Sequence, residues 1–191
     1  MQELPVHPLA IWESFYVIVG SSAAALTGLQ FIVVAFIADR REHISPRTLS
    51  AFATPAIIHY SVVLFVAAAL SAPWLRVTMV IAPLIAAGIF GVAFIGRVAY
   101  KMRSQSEYKP VLEDWAWHVA LPLLSYSALF VSALVLMSHE TLSLFVIAGA
   151  SLLLMYIGIH AAWDTVTYIA TDQDHLSRRS STDSGQVPSS S

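Results

Sequence analysis

Residues 12–38 read WESFYVIVGSSAAALTGLQFIVVAFIA and carry one charge, on Glu13. A helix of this length spans roughly 40 Å, at about 1.5 Å per residue, whereas the hydrocarbon core of a bilayer is roughly 30 Å thick. The stretch therefore predicts a transmembrane helix. Because the apolar run is long and no basic leader precedes it, it does not fit a signal peptide. We expect it to be retained, with residues 1–11 as a short tail outside the cell.

The middle of this helix is rich in small side chains, and Gly20, Ala24 and Gly28 recur every four residues on one face. Small residues at this spacing let two membrane helices approach closely. We therefore expect this face to pack against other helices, and the first helix to be central in the bundle. Later small-residue pairs are predicted to pack in the same way, namely Ala87 with Gly91 and Gly158 with Ala162.

The composition fits a membrane protein. Hydrophobic residues make up 57% of the 191 residues and charged residues only 12%, against roughly 25% charged residues in a soluble domain. The net charge of −2 offers no basic surface for nucleic acid. The absence of cysteine excludes disulfides, thiolate chemistry, iron–sulfur clusters and cysteine-type zinc sites.

Four further apolar segments follow the first, so the sequence predicts an all-α fold with a five-helix transmembrane domain over residues 12–169. Ser45 followed by Pro46 is a typical helix start, and Pro55, Pro83 and Pro122 interrupt three of the later segments. The Ser-rich residues 170–191 are predicted to be a disordered cytoplasmic tail. The five predicted spans are residues 12–38, 49–70, 75–100, 115–137 and 142–169.

The basic residues predict the orientation of these helices. With five spans, nine of the ten Lys and Arg residues fall on one side of the membrane and only Arg76 falls on the other. The positive-inside rule then predicts an N-terminus outside and a C-terminus inside the cell.

The run from Gly20 to Phe31, GSSAAALTGLQF, is followed by an apolar stretch and then Asp39-Arg40-Arg41. This pattern resembles small multi-pass bacterial membrane proteins of uncharacterised role, some of which are labelled as modulators of a membrane-bound protease. The likeness covers residues 17–41, about an eighth of the chain. It implies a bacterial origin and an inner-membrane location, and it carries over no catalytic residue.

Ionisable groups within the spans are candidates for function because a charge in hydrocarbon is costly. His160 and Asp164 lie four residues apart on one helix face, and an imidazole beside a carboxylate occurs in proton relays and behind bound metals. The simpler interpretation is a partly wet pair at the inner interface. Glu13, His59 and His118 complete the set of candidate polar residues.

A metal or haem site is a further hypothesis from the same residues. If His59, His118 and His160 faced one another, they could bind a transition metal, or two of them could hold a haem iron. The spacing does not require this, and the chain contains no His-x-x-x-His pair, the commonest one-helix metal pattern. We therefore expect no cofactor, with a haem or transition metal as the exception.

Three functional hypotheses follow from the sequence. The leading one is a non-enzymatic inner-membrane protein with a structural or regulatory role. It would act within the lipid bilayer through helix packing, either with itself as a homo-oligomer or with a membrane-protein partner. The second is an oligomeric channel or proton-coupled carrier that uses inner-leaflet His and Asp residues, and the third is a haem or metal protein. Common hydrolase, phosphate-loop and metalloprotease motifs are absent from the sequence.

Overall fold

A computed structural model describes residues 8–39, 46–104 and 112–183. Within these ranges every regular element is helical, and five helices are long and apolar enough to span a membrane. The predicted all-α class with five apolar helices is confirmed to that extent.

The five long helices overlap the predicted spans, but the third begins later than predicted, at Ile81, and the fifth ends later. The second begins at Pro46, as the helix-start signal predicted. A short 3₁₀ turn precedes the first helix and another precedes the third. The 3₁₀ turns are Pro8–Trp12 and Val77–Val80, and four of the helices are the first, Glu13–Asp39, the second, Pro46–Ser71, the third, Ile81–Ser104, and the fifth, Glu140–Asp183. The fourth helix consists of three consecutive parts, Leu112–Trp115, Ala116–Ala120 and Leu121–Val135.

The two ends of the chain are more ordered than the sequence predicted. Leu9, in the predicted tail, is buried in the core. At the other end, the fifth helix continues to Asp183, so residues 170–183 of the predicted disordered tail are helical. These residues contain no Gly or Pro, and the first helix breakers, Gly185 and Pro188, lie beyond them. Residues 184–191 of the predicted tail lie outside the described residues.

The second and fifth helices form the centre of the bundle. The second packs on the first and the fifth, and the fourth packs on the third and the fifth. Half of the apolar window is buried in both central helices, against 22% in the first helix. The expectation that the first helix is central is therefore wrong, because a small-residue face permits close packing but does not require it.

The predicted packing residues of the first helix differ in their surroundings. Gly20 is buried, and a side chain there would meet Ala67 of the second helix at 3.0 Å. Ala24 and Gly28 are exposed, and nothing lies within 4 Å of the position that a side chain at Gly28 would take.

The packing residues predicted in the third and fifth helices lie inside the bundle. Ala87, Gly91 and Gly158 are buried and Ala162 is half-buried. An added side chain at Gly91 would overlap the ring of Tyr126, and one at Gly158 would lie 2.5 Å from the ring of Tyr60. These glycines therefore make room for tyrosine rings of neighbouring helices.

The three prolines lie in different helical contexts. Pro55 is inside the second helix, whereas Pro83 lies in the first turn of the third, where its missing N–H breaks no hydrogen bond. Pro122 follows a π-helical turn, Ala116–Ala120, in which the Leu121 N–H donates to the Ala116 carbonyl. Because a proline ring clashes with the carbonyl four residues earlier, the wider turn gives Pro122 the space that it needs.

An aromatic contact fixes which helix ends lie together. The Trp12 ring meets the Phe145 ring edge-on, with the ring centroids 4.8 Å apart. The first and fifth helices therefore begin at the same end of the bundle, which we call the amino-terminal end. The third helix finishes at the opposite end.

Candidate functional site

A narrow cleft between the second, third, fourth and fifth helices is lined by three imidazoles, those of His59, His118 and His160. Its other lining residues are apolar or aromatic, with Phe94 and Trp117 the largest. The volume is about 10 Å³, close to the roughly 10–15 Å³ that one water molecule requires. The cleft can therefore hold water, but it does not have room for an organic ligand.

His59 lies near the middle of the second helix and is the most deeply buried of the three, with 2% of its surface exposed. Its Nδ1 lies 2.8 Å from the hydroxyl of Tyr126 in the fourth helix. The Tyr126 ring is itself fully buried and rests on Gly91. This hydrogen bond joins two helices in the interior, where an unpaired imidazole would be costly.

His118 lies in the π-helical turn of the fourth helix, beside Trp117. Its Nδ1 lies 3.1 Å from the carbonyl oxygen of Asp114. Because a carbonyl can only accept, the His118 Nδ1–H is the donor. The π turn places both Trp117 and His118 along the cleft, so the backbone irregularity lies at the candidate site. Such turns occur often at functional sites.

His160 and Asp164 in the fifth helix form the pair that the sequence predicted. The His160 Nδ1 lies 3.0 Å from Asp164 Oδ2, with 29% and 40% of the two side chains exposed. The His160 ring stacks face to face on Trp117, with centroids 3.9 Å apart and planes inclined by 8°. The carboxylate at Nδ1 and the indole ring on one face fix the position and the orientation of the His160 imidazole.

The three imidazoles all use the same ring nitrogen for their polar contact. In each of them Nδ1 is occupied, by the Tyr126 hydroxyl, the Asp114 carbonyl or the Asp164 carboxylate. A hydrogen bond at one ring nitrogen fixes the role of the other. Nε2 is therefore the nitrogen left for exchange with water in the cleft, and in His118 and His160 it carries the lone pair of the neutral ring.

The structure brings together four of the five candidate polar residues. His59, His118 and His160 line one cleft and Asp164 is bonded to His160, whereas Glu13 is exposed at the amino-terminal end. Sequence reasoning missed Tyr126 and Trp117. The only signal for Trp117 was the nearby Pro122, which marked an irregular helix without showing which side chains it would turn inward.

The same residues do not form a metal centre. Across the part of the chain that the structure describes, no three His, Asp or Glu side chains are grouped so that they could hold a metal ion. Three histidines can line one cleft without being close enough to bind one metal ion, because a transition metal requires nitrogen atoms at about 2.0–2.1 Å. The geometry gives no support to the metal or haem hypothesis.

Comparison of the chain with protein-family models, curated proteins and solved structures finds no match. The resemblance noted for residues 17–41 therefore stays a prediction, and function must be argued from the cleft itself.

Proposed function

We propose that the chain is a multi-pass protein of a bacterial inner membrane, with its N-terminus outside and its C-terminus inside the cell. The five apolar helices and the placement of nine of the ten basic residues on one side support this orientation. The cleft then lies towards the cytoplasmic side, because His118 is near the start of the fourth helix and His160 is in the second half of the apolar part of the fifth.

Membrane-impermeant thiol labelling tests the orientation, since this cysteine-free chain has no background. Single cysteines at Gln2 and Ser138 should react in intact cells, and those at Ser104 and Ser184 only after permeabilisation. Reaction of Ser184→Cys from outside would show that the orientation is inverted or that one helix does not cross.

We propose further that the protein moves protons through this cleft, as an oligomeric channel or a proton-coupled carrier. The observation that carries the proposal is the meeting of three histidines from three different helices around one water-sized space. Histidine changes its charge near neutral pH and is the common proton shuttle. Buried ionisable groups in membrane proteins mark such routes.

Each residue has a definite part in the proposed route. His160 takes a proton at Nε2 while Asp164 and the Trp117 ring stabilise the resulting cation. A water in the cleft accepts that proton and delivers one to a second imidazole. His59, bonded to Tyr126, is the innermost of the three imidazoles and links the site to the centre of the bundle.

A flux assay on the full chain in liposomes tests the proposal. With a pH-sensitive dye inside, wild-type protein should collapse an imposed pH gradient. His160→Ala and Asp164→Asn should slow this collapse roughly tenfold or more, as removal of a positioned proton-transfer group does. His139→Ala is the matched control, because His139 is exposed in the turn before the fifth helix, away from the cleft. A wild-type protein without flux at any pH between about 5 and 8 would refute the proposal.

A second function, self-association through helix packing, is favoured by one observation. Ala24 and Gly28 of the first helix face outward, and the helix is held mainly by the second helix. We propose that a second copy of the chain packs on this face. Ala24→Leu with Gly28→Leu should reduce the detergent-solubilised size without lowering the melting temperature, whereas Gly20→Leu should destabilise the bundle itself. An unchanged size in the double variant would exclude this interface.

A further inference from the structure

Arg97 is a charged residue on the outside of the third helix. It is exposed, and it makes no hydrogen bond or ion pair with any described residue. It lies seven residues before the helix ends at Ser104, which is about 10 Å along the helix axis. If the helix crosses a bilayer, the backbone of Arg97 lies within the apolar layer. The guanidinium then needs an anion within reach of its side chain.

The surface around Arg97 combines small apolar residues with positive charge. Phe90, Ala93 and Tyr100 are exposed on the same helix face as Arg97, since they lie three, four or seven residues from it. Gly96, beside this face, is also exposed and has nothing within 4 Å of the position of a side chain. This face of the third helix is therefore apolar at Phe90 and Ala93 and cationic at Arg97, nearer the end of the helix at Ser104.

We propose that this surface binds one phospholipid with an anionic headgroup. The Arg97 guanidinium, which offers paired N–H donors, binds the lipid phosphate, and an acyl chain lies along Ala93 and Phe90. The inference rests on the proposed membrane insertion and is independent of the proposed proton function.

A lipid fits this surface better than a protein partner does. The exposed face runs along the helix axis from the apolar Phe90 and Ala93 to the cationic Arg97, which is the arrangement of an acyl chain and its headgroup. Tyr100, with 75% of its surface exposed, lies one turn below Arg97, and exposed aromatic residues of this kind are typical at the level of lipid headgroups. A free phosphate ion would match Arg97 but would leave the apolar part of the surface without a role.

The test uses the full chain in neutral detergent with added dioleoylphosphatidylglycerol or dioleoylphosphatidylcholine. Native mass spectrometry counts the retained lipids, and a thermal melt measures stabilisation. Wild-type protein should retain the anionic lipid preferentially, and Arg97→Gln should weaken that binding about fivefold, the contribution of one cation near a lipid surface. Arg76→Gln is the matched control, because Arg76 is also exposed but lies before the start of the third helix.

Two further arms separate the sources of binding. Gly96→Leu keeps every charge but places a branched side chain in the open space beside this face, so it should weaken lipid retention while the melting temperature without lipid stays unchanged. Inorganic phosphate alone should give no stabilisation. Equal retention of the anionic lipid by Arg97→Gln and wild type, or equal stabilisation by inorganic phosphate, would overturn the proposal. If Arg97→Gln fails to fold, Gly96→Leu decides, and retention of the anionic lipid at the wild-type level by that variant would overturn the proposal.

Discussion

Replacing Gly91 with alanine tests the contact that positions the candidate site. Gly91 is buried in the third helix, and an added Cβ would overlap the ring of Tyr126. Tyr126 is fully buried, so its ring cannot swing aside without displacing its neighbours. We expect the substitution to push Tyr126 away and to lengthen its 2.8 Å hydrogen bond to His59.

The expected loss follows from three contributions. Overpacking of a buried site costs about 1–3 kcal/mol, and a lost interhelical hydrogen bond in a membrane protein costs about 0.6–1.7 kcal/mol. Alanine in place of glycine in a helix offsets up to about 1 kcal/mol. We expect a net loss of about 2 kcal/mol in the free energy of unfolding, which lowers the melting temperature of a chain of this size by roughly 4–8 °C.

A thermal melt in detergent, followed by tryptophan fluorescence, measures this loss. Gly149→Ala is the matched control, since Gly149 is an exposed helical glycine with nothing within 4 Å of an added side chain. Tyr126→Phe removes the hydroxyl and keeps the ring, so it isolates the hydrogen bond. A Gly91→Ala protein that melts with or above the wild type would refute the packing described between the third and fourth helices.

Pro122→Ala should convert the π turn into regular α-helix, because it restores an N–H and removes the ring clash, and it should turn Trp117 out of the cleft. The liposome flux should then fall, and an unchanged flux would show that the π turn is not needed for function. His160→Ala should change the fluorescence of Trp117, because the His160 ring stacks on that indole with the centroids 3.9 Å apart; Trp117→Phe should abolish this difference and Trp12→Phe should preserve it. Gly158→Ala, whose Cβ would lie 2.5 Å from the Tyr60 ring, should destabilise the protein by about 1–3 kcal/mol in the same melt, and a gain in stability would contradict the contact.

The number of long helices was predictable because apolar length is a property of each segment by itself. Pro46 marked the start of the second helix through its local chemistry, and the structure begins the helix there. The neighbours of each helix could not be predicted in this way. Gly20, Ala24 and Gly28 form one sequence pattern, yet only Gly20 packs inward, since the choice depends on what the second helix presents to it.

The candidate site was predicted in part for a similar reason. His160 and Asp164 are four residues apart, so helix geometry alone brought them together. The contact of His59 with Tyr126 joins residues 67 positions apart, and no local pattern indicates it. In the sequence, Tyr126 is one aromatic residue among others in an apolar segment. Only the structure shows that its ring lies on Gly91 of the third helix.

The packing of the second helix on the fifth has a consequence for synthesis in the cell. A ribosome makes the chain from its N-terminus, so under the proposed membrane insertion the second helix enters the membrane before the fifth helix, which packs on it. During that interval the Tyr60 ring lacks Gly158, and His59 lacks Tyr126. The half-made protein therefore presents polar groups to lipid or to the insertion machinery. Substitutions at Gly158, which contacts the Tyr60 ring, should therefore shorten the lifetime of the protein in cells before they affect any activity.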